Sequence, residues 1–425
     1  MNINEIKNKL NNRELDERLM ELYVDEELLN YQTKRYLKAL DEFEKHFDDQ
    51  DVIIYSAAGR SEVGGNHTDH QHGQVLASAI NLDAIAITAR QETFVDIISD
   101  GFELVHIDIN DLAKKEEEVA TSTALVRGVL AKLKEEGYKI GGFKAYITSD
   151  VLIGAGLSSS ASFEVLIATI ISGLYNDNQI DKVNIAKIGQ YAENVYFGKP
   201  CGLMDQCACS VGGLINIDFK DINKPVVKAV EVDFSKFKHS LCIVDTKGDH
   251  SDLTNEYASI PLEMKEIAHY FNQEYLADVD ENKFYEDIFE IRKVCSDRAI
   301  LRAHHFFNEN KRVNNLLEAL EKEDFEAFKT NIKASGDSSY KYLQNVFASS
   351  DALNQSMSLA LAISEMNLKN HGVSRVHGGG FAGTIQAFVE DEYVSNYKEA
   401  MDKLFGEGSC HVLKIRNVGG CEVLK

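Results

Sequence analysis

Small residues crowd one segment of the chain, which reads Gly154-Ala155-Gly156-Leu157-Ser158-Ser159-Ser160-Ala161-Ser162. A predicted strand at 143–148 precedes it and a predicted apolar helix at 163–174 follows it, so backbone N–H groups gather at a positive helix terminus. Glycine lets the backbone approach a phosphate, and neighbouring hydroxyls offer donors or a ligand for magnesium. No Gly-Lys-Ser/Thr follows, so this is not a Walker loop. The segment predicts an anion site, whereas an isolated Gly-x-Gly would favour an ordinary capped turn.

Two charged residues elsewhere in the chain, a carboxylate and a cation, each lie inside a motif-like segment. Asp205 lies in Cys-Gly-Leu-Met-Asp-Gln, and Arg60 opens a segment that continues to His70. Taken singly, Arg60 fits a surface ion pair and Asp205 fits a turn or cap residue. Only their combination with the anion site favours chemistry.

Three motifs together carry a resemblance to a known family. The segment at 154–162 resembles the second motif of the GHMP kinases, named for galactokinase, homoserine kinase, mevalonate kinase and phosphomevalonate kinase. The segment at 59–70, Gly-Arg-Ser-Glu-Val-Gly-Gly-Asn-His-Thr-Asp-His, resembles the galactokinase signature Gly-Arg-Val-Asn-Leu-Ile-Gly-Glu-His-Thr-Asp-Tyr. The segment at 377–383 resembles the late glycine-rich motif, so the likeness spans about residues 59 to 389. Their joint order makes coincidence implausible.

The resemblance implies an ATP- and Mg²⁺-dependent kinase that phosphorylates the anomeric hydroxyl of galactose. It implies Asp205 as catalytic base with Arg60 beside it, and Ser160 with Glu193 as magnesium ligands. The sugar-binding residues it implies are Asn66, His67, Thr68, Asp69, Gly202 and Tyr257. The ATP-binding residues it implies are Gly154, Ala155, Gly156, Leu157, Ser158, Ser159, Ser160 and Gly379. Tyr257 is the weakest match, because the Asn-x-Arg-Arg that follows it in the family is replaced here by Ala-Ser-Ile.

The sugar-side motif departs from the family pattern at several positions. Asn66 replaces the signature glutamate, His70 and Gln71 replace the usual Tyr-Asn, and Ala58 replaces a proline. In galactokinases that glutamate lies near O6 of the sugar, and a neutral amide would also tolerate a carboxylate there. Because His-x-Asp-His-Gln also resembles plant galacturonokinases, galacturonate is the alternative substrate. On this interpretation, Asn66→Glu would leave galactose turnover tolerable and suppress galacturonate turnover.

Two other classes of function share parts of the pattern. Non-catalytic galactose and ATP sensors share the fold and the glycine motifs, but they have lost residues of the Ser-Ser-Ser-Ala segment that is intact here at 158–161. Kinases for mevalonate or homoserine lack the His-Thr-Asp string, although fold alone would not exclude them. Catalysis on a galacto-configured sugar is therefore favoured.

The remaining pattern predicts the elements that hold these motifs. Helical spacing predicts a leader from Glu5 to about Phe47 whose role is packing, and a helix at 121–136. Short apolar or alternating runs predict strands at 52–55, 84–88, 143–148, 241–244 and 385–389. A polar stretch with Pro225 suggests a boundary near 220–232. The domains predicted are a leader at 1–47, an N-terminal domain at 48–222 and a C-terminal domain at 223–425.

The family resemblance implies the fold class α+β. The N-terminal domain would be like ribosomal protein S5 domain 2, the C-terminal domain would be ferredoxin-like, and a cleft would lie between them. A chain of 425 residues is long enough for two cores.

Composition limits the partners. Lys+Arg of 45 against Asp+Glu of 68 gives a net charge of −23, which disfavours nucleic acid and anionic membranes. The start of the chain lacks a signal-peptide pattern and no apolar run is long enough to span a bilayer, so a cytoplasmic location is expected. Seven cysteines spread along the chain predict free thiols rather than disulfides. The expected partners are a small sugar and ATP, with the chain a monomer or weak homo-oligomer.

Overall fold

Two β-sheets organise the chain, whose computed structural model describes residues 1–152, 156–222, 224–248, 253–381 and 383–424. An eight-stranded sheet belongs mainly to the first half, and a four-stranded antiparallel sheet belongs to the second half. Helices cover both sheets, which is the α+β arrangement that the sequence predicts. Among the described residues, no helix has the length and apolar character needed to cross a membrane.

The predicted leader forms three helices: α1 (Ile3–Asn11), α2 (Asp16–Tyr23) and α3 (Leu29–Phe47). Each buries the apolar stripe that its sequence spacing predicts, for example Leu40 and Phe43 of α3. These stripes pack against Ile54, Ile85 and Ile87 of the large sheet. The leader therefore covers one face of that sheet.

The large sheet runs in the order β12-β1-β2-β5-β3-β4, with β6 paired to β2 and β7 paired to β6. The strands are β1 (Ile53–Gly64), β2 (Gln74–Gln91), β3 (Phe94–Ser99), β4 (Val105–Asp108), β5 (Gly142–Ser149), β6 (Leu214–Asp218), β7 (Val226–Val230) and β12 (Cys421–Leu424). Strands β3 and β5 pair in parallel, and the other strand pairs recorded for the described residues of this sheet are antiparallel. The strands predicted at 52–55, 84–88 and 143–148 are confirmed within β1, β2 and β5.

The second face of the large sheet is covered by helices α4 (Ser122–Glu135), α5 (Ser159–Tyr175), α6 (Lys182–Tyr191) and α7 (Met204–Val211). Alternation along the strands makes this possible, because Ala84 and Ala86 face α5 while Ile85 and Ile87 face the leader. The helices predicted at 121–136 and 163–174 are confirmed as α4 and α5. A turn of π-helix (Ala192–Phe197) follows α6.

Strand β1 is irregular on both sides of the segment that contains Arg60, the predicted partner of Asp205. Its register against β2 shifts between Ala58 and Arg60 and again between Glu62 and Gly64. Bulges of this kind bend a strand and re-aim its side chains. Between the two shifts the pairing is regular, so Arg60 and Glu62 lie on the same side of the strand, and both residues are buried.

The second half builds the small sheet in the order β11-β8-β10-β9, from β8 (His239–Asp245), β9 (Gly372–Val376), β10 (Thr384–Glu390) and β11 (Cys410–Leu413). Its helices are α8 (Thr254–Tyr270), α9 (Glu281–Glu286), α10 (Ile288–Ile291), α11 (Asp297–Glu321), α12 (Phe325–Ser338), α13 (Ser356–Leu368) and α14 (Val394–Phe405). The strands predicted at 241–244 and 385–389 are confirmed. Leu241, Ile243 and Phe388 share one core cluster with Val63 and Leu76 of the large sheet.

The predicted domain boundary at 222/223 stays a prediction, and the strand pairing adds two facts to it. Strand β7, just beyond that boundary, pairs with β6 of the large sheet. Strand β12, at the far end of the chain, pairs with β1. Residues from both ends of the chain thus build the sheet that carries Arg60.

A buried carboxylate joins the leader to this sheet. Asp83 of β2 accepts hydrogen bonds from Arg35 of α3 (Nη1 to Oδ1, 2.7 Å) and from Arg416 (Nη1 to Oδ2, 3.0 Å). Tyr23 of α2 also donates to it at 3.0 Å. Burial by itself would raise the pKa of Asp83, but the two guanidinium groups outweigh burial and hold the pKa below its ordinary value. Asp83 is therefore ionised at neutral pH.

Replacing Asp83 by alanine is expected to lower the free energy of unfolding by about 3 to 5 kcal/mol, because two buried cations lose their partner. Denaturant unfolding at pH 7 measures the change. The control is Asp41→Ala, which removes an exposed partner of Lys7 and should cost about 1 kcal/mol or less. Equal losses in the two variants would contradict the assignment of Asp83 as the anchor of the leader.

Candidate active site

A cleft of about 290 Å³ gathers residues from both halves of the chain. Its lining includes eight residues that the sequence predicts for the site: Arg60, Gly156, Ser158, Ser159, Ser160, Asp205, Tyr257 and Gly379. It also includes Leu152, Lys199, His377, Gly380, Gly383 and Thr384. Predicted catalytic and ATP-binding residues therefore share one hollow.

Arg60 and Asp205 form a two-pronged ion pair in this cleft. The Arg60 Nε lies 2.8 Å from Asp205 Oδ1, and Nη2 lies 2.9 Å from Oδ2. Arg60 projects from β1, and Asp205 lies in the first turn of α7, so the pair joins a strand to a helix N-terminus. The arginine is nearly enclosed, whereas the aspartate side chain is 29% exposed to the cleft. A ligand can thus reach the carboxylate but not displace the cation.

The electrostatics keep Asp205 ionised. Burial alone would raise the pKa of its carboxyl group, but the Arg60 charge and hydrogen bonds, with a further hydrogen bond from Ser158, hold the pKa below its ordinary value. The remaining donor of Arg60, Nη1, bonds to the carbonyl of Gly156. Arg60 thus links the carboxylate to the start of the small-residue segment.

The described part of that segment has the geometry of an anion site. Ser158 adopts a left-handed conformation (φ 56°) immediately before α5, which begins at Ser159. Gly156 also has positive φ (68°), a conformation that glycine adopts without strain. Ser159 and Ser160, in the first turn of α5, line the cleft at the positive end of this 17-residue helix, where the first N–H groups have no partner within the helix. Gly154 and Ala155 lie outside the described residues.

Leu157 differs from its neighbours in the segment. Its side chain is fully buried in the core cluster that joins the two halves of the chain. Its carbonyl oxygen accepts a long hydrogen bond (3.4 Å) from the backbone N–H of Arg60. Leu157 therefore anchors the segment, and only its backbone is near the cleft.

Ser160 and Glu193 lie together at the edge of the cleft. The Ser160 hydroxyl donates to Glu193 Oε1 at 3.0 Å, and Lys199 Nζ lies 3.1 Å from the same oxygen. The side-chain amide of Gln206 donates to the other oxygen of Glu193 and to Glu164, each at 3.0 Å. This arrangement holds one carboxylate oxygen and one hydroxyl side by side.

The oxygen donors fit magnesium, which is bound in kinases by one or two carboxylates, waters and substrate phosphates. Among the described residues, no three His, Cys, Asp or Glu side chains lie together as a metal cluster. A magnesium ion held by Ser160 and Glu193 would thus depend on phosphate oxygens for further ligands. Lys199 is a cation beside Glu193 that was not predicted from the sequence.

The predicted sugar-side loop lies between β1 and β2. His67 has a left-handed backbone (φ 58°), and its Nε2 is 2.9 Å from the carbonyl oxygen of Gly379. Asp69 lies against Gly202, where an added Cβ would come within 2.5 Å of Asp69 Oδ2. Gly202 therefore leaves room for the Asp69 carboxylate beside Asp205.

Asn66 does not present its amide to the cleft. Its two amide hydrogens bond to Glu62 Oε1 (3.0 Å) and to the carbonyl of Gly378 (2.7 Å). Its Oδ1 accepts from Ser339 (3.2 Å) and Asn345 (2.9 Å), and the residue is fully buried. The arrangement leaves Asn66 no free atom for a direct bond to a sugar.

The expected tolerance of Asn66→Glu is not supported either. A glutamate at position 66 would meet the Glu62 carboxylate and the Gly378 carbonyl in a buried setting, where unpaired charge is costly. Thr68 is equally enclosed, because its hydroxyl lies within hydrogen-bond distance of the carbonyls of Gly65 and Gln74. Asn66 and Thr68 thus stabilise the conformation of the loop through buried hydrogen bonds.

Glu62 is a residue that the sequence analysis missed. The signature has asparagine at the position of Glu62 and glutamate at the position of Asn66, so the acid and the amide are exchanged in this chain. The two side chains are hydrogen-bonded partners, and Arg375 of β9 neutralises Glu62 at 2.7 Å. The exchange of acid and amide at positions 62 and 66, taken together, is the sequence signal that indicates this pair.

Tyr257, the weakest of the sequence matches, lines the cleft. Its hydroxyl donates to the carbonyl of Gly380 (2.9 Å), and its ring packs at the edge of Phe381. Gly379 has no room for a side chain, because an added Cβ would lie 2.8 Å from the Tyr257 ring. Tyr257 thus fixes the late glycine motif over the cleft.

A second, larger cavity adjoins the cleft. It has a volume of about 840 Å³, and Leu152, Ser159 and Ser160 line both hollows. The rest of its lining comes largely from apolar side chains such as Leu125 and Phe163. These residues stand on separate elements, so no single motif in the sequence could have identified them.

Two family profiles match the chain, "GHMP kinases N terminal domain" at residues 124–213 and "Galactokinase galactose-binding signature" at residues 41–90. The galactokinase of Limosilactobacillus reuteri (strain DSM 20016) is 30% identical over 378 residues, which cover 86% of this chain and 93% of that relative. The chain belongs to the galactokinase family. It is accordingly a sugar kinase, a phosphotransferase that uses ATP.

Further comparisons agree with this membership. The galactokinase of Clostridium tetani (strain Massachusetts / E88) is 27% identical over 86% of this chain and 91% of that relative. The solved structure of Lactococcus lactis galactokinase in complex with galactose superposes with a TM-score of 0.76 at 24% identity, over 91% of this chain and all of that one. Methanococcus jannaschii mevalonate kinase superposes at 0.62 with 15% identity, over 86% of this chain and 98% of that one. The GHMP kinase fold is thereby confirmed.

Asp69 provides a test of the charge crowding beside Asp205. Burial, followed by the nearby Glu62 and then Asp205 carboxylates, raises the pKa of Asp69 to about 6. Because the folded-state pKa exceeds the unfolded one, stability falls as pH rises from about 4 to about 6. Asp69→Asn should remove this loss, so denaturant unfolding should show the variant gaining about 1 to 3 kcal/mol relative to the parent between pH 4 and pH 7.

Asp205→Asn is the control, because the effect of this change on stability should vary with pH in the opposite direction. The pKa of Asp205 is lowered, so its stabilising contribution is present at neutral pH and is lost in acid. A stability difference for Asp69→Asn that stays constant with pH would contradict the raised pKa of Asp69.

Proposed function

We propose that this enzyme transfers the γ-phosphoryl group of ATP to the anomeric hydroxyl of galactose and releases galactose 1-phosphate and ADP. The observation that supports this most is the Arg60–Asp205 ion pair, which lines the same cleft as the first turn of α5. An ionised carboxylate and an anion site then line the same hollow, which is the combination that phosphoryl transfer to an alcohol requires.

In this proposal, Asp205 orients the sugar hydroxyl by accepting its hydrogen bond. As the oxygen–phosphorus bond forms and the bond to the β-phosphate breaks, the hydroxyl proton passes to Asp205 and ADP leaves. Because Arg60 holds the pKa of Asp205 low, the carboxylate is a weak base, so the proton moves late. Positioning by the rigid ion pair is then its main contribution.

The proposed phosphate ligands are the N–H groups at the start of α5, the hydroxyl of Ser159, and Lys199, because the Ser158 hydroxyl already donates to Asp205. Ser160 and Glu193 would hold magnesium, which would neutralise charge on the β- and γ-phosphates. Lys199 is 62% exposed and bonds to Glu193, so its flexible stem can turn towards a phosphate. The adjoining apolar cavity of about 840 Å³ is the proposed site of the nucleotide base.

The charges around the sugar side favour a neutral sugar over galacturonate. Asp69 and Asp205 lie beside Gly202, and the pKa of Asp69 is raised by burial and by the carboxylates of Glu62 and Asp205. The same burial and nearby carboxylates that resist ionisation of Asp69 would also oppose a carboxylate on the substrate. Galactose is therefore proposed ahead of galacturonate.

The sensor alternative is disfavoured by the same cleft. Ser158, Ser160 and Asp205 all lie in it, and Asp205 keeps its arginine partner. A cytoplasmic location, a monomeric or weakly oligomeric state and the absence of nucleic-acid partners remain parts of the proposal. The net charge of −23 supports the last of these.

An ADP-release assay with ATP and magnesium tests the reaction. The parent enzyme should release ADP with galactose, and Asp205→Asn should lower kcat by about 10² to 10⁴, the range for a lost acid or base group. Asp297→Asn, which removes a charge from an exposed ion pair on α11, is the control and should keep parental turnover. An Asp205→Asn variant as fast as the control would end the catalytic assignment.

A parallel assay with galacturonate tests the substrate. Because of the carboxylates at Glu62, Asp69 and Asp205, kcat/KM for galacturonate is expected to be at least about tenfold below that for galactose, a difference of about 1.4 kcal/mol. A preference for galacturonate would overturn the choice of sugar while leaving the kinase assignment intact. If the enzyme releases ADP with neither galactose nor galacturonate, other galacto-configured sugars should be assayed.

A further inference from the structure

The leader helix α3 reaches the larger cavity. Leu28, Tyr31 and Gln32, at and beside the start of α3, line it together with Phe102 from the β3–β4 loop. We propose that the leader is part of the nucleotide site, with the Tyr31 ring forming a wall against the base. This inference rests on the proposed function, because it takes the nucleotide to lie in that cavity.

The exposure of two aromatic rings in this cavity supports the inference. Tyr31 is 52% exposed and Phe102 is 55% exposed, although both line a hollow of about 840 Å³. They come from segments far apart in the chain, so the fold alone brings both rings to the same hollow. A flat apolar ring left open to a cavity suits stacking with a purine base.

The Tyr31 ring is held in place by the segment that leads to the phosphate site. Its hydroxyl donates to Asp150 Oδ1 at 3.0 Å, and Arg35 Nη1 lies 2.9 Å from Asp150 Oδ2. Asp150 directly follows β5 and precedes the segment that reaches Ser160. Burial and the Asp150 carboxylate raise the pKa of Tyr31, so the phenol keeps its proton and remains the donor. A ring anchored in this way loses little freedom when a base stacks on it.

The position of the cavity identifies its occupant as a nucleotide rather than a purely apolar molecule. Ser159 and Ser160 line it at one end, where the first turn of α5 offers N–H groups to an anion. A ligand that fills the cavity and reaches these residues must combine an apolar ring with a charged tail. Nucleoside triphosphates have that combination.

The test measures ATP binding directly, without sugar, by calorimetry with Mg²⁺ on the full-length chain. Tyr31→Ala should weaken ATP binding about fivefold or more, the lower range for loss of one aromatic–base stack. Tyr31→Phe keeps the ring and should stay within about twofold of the parent. Lys34→Ala, an exposed change on the same helix, is the matched control and should bind ATP as the parent does.

Kinetics and melting separate a nucleotide contact from a purely structural role. A nucleotide contact predicts that Tyr31→Ala raises KM for ATP about fivefold or more while KM for the sugar and Tm stay near the parental values. Unchanged ATP binding in Tyr31→Ala, an equal loss for both substrates with a lowered Tm, or a parent that binds no ATP would each overturn the inference. A parent that binds ATP but phosphorylates no sugar would refute the proposed function, while the binding comparison would still decide the role of the leader.

Discussion

The ion pair between Arg60 and Asp205 is the constraint on which the rest of the site depends. A carboxylate can orient a hydroxyl only if its own position is fixed, and the two-pronged bond to Arg60 fixes both of its oxygens. The same arginine also bonds to the carbonyl of Gly156, so the segment before α5 is tied to the carboxylate. One cation therefore sets the distance between the proposed acceptor and phosphate sites, and it keeps the carboxylate ionised while burial opposes that charge.

Strand β1 must stay rigid for Arg60 to serve this purpose, and the fold supports it from several directions. It pairs with β2 along most of its length and with β12 from the end of the chain. The leader covers one face of the sheet and is joined to it at Asp83, which two buried arginines neutralise. A leader attached by a buried ionic network is a structural part of the enzyme, and this attachment also brings Tyr31 to the larger cavity.

The sugar side illustrates how a departure from a family pattern can be compensated within the molecule. Asn66 by itself suggests a lost carboxylate and a relaxed preference for the sugar. In the structure, Glu62 supplies the missing acid two residues after Arg60, Asn66 bonds to it, and Arg375 neutralises it. The late glycine motif joins this network through the carbonyl of Gly378. The two halves of the chain are therefore joined beside the predicted sugar-binding loop by polar groups that hydrogen-bond to one another.

The sequence by itself determined the family, the α+β class and most of the elements, because periodic apolar spacing and contiguous motifs are local properties of a chain. It also predicted Arg60, Asp205, Gly156 and the serines at 158–160, which line one cleft in the structure, since each lies inside a motif. Only the tertiary structure decided that Asn66 is enclosed, that Lys199 lies beside Glu193 and that the leader lines a cavity. Those outcomes depend on which hydrogen-bond partners and which surfaces meet across segments distant in sequence, and no local pattern encodes such a meeting.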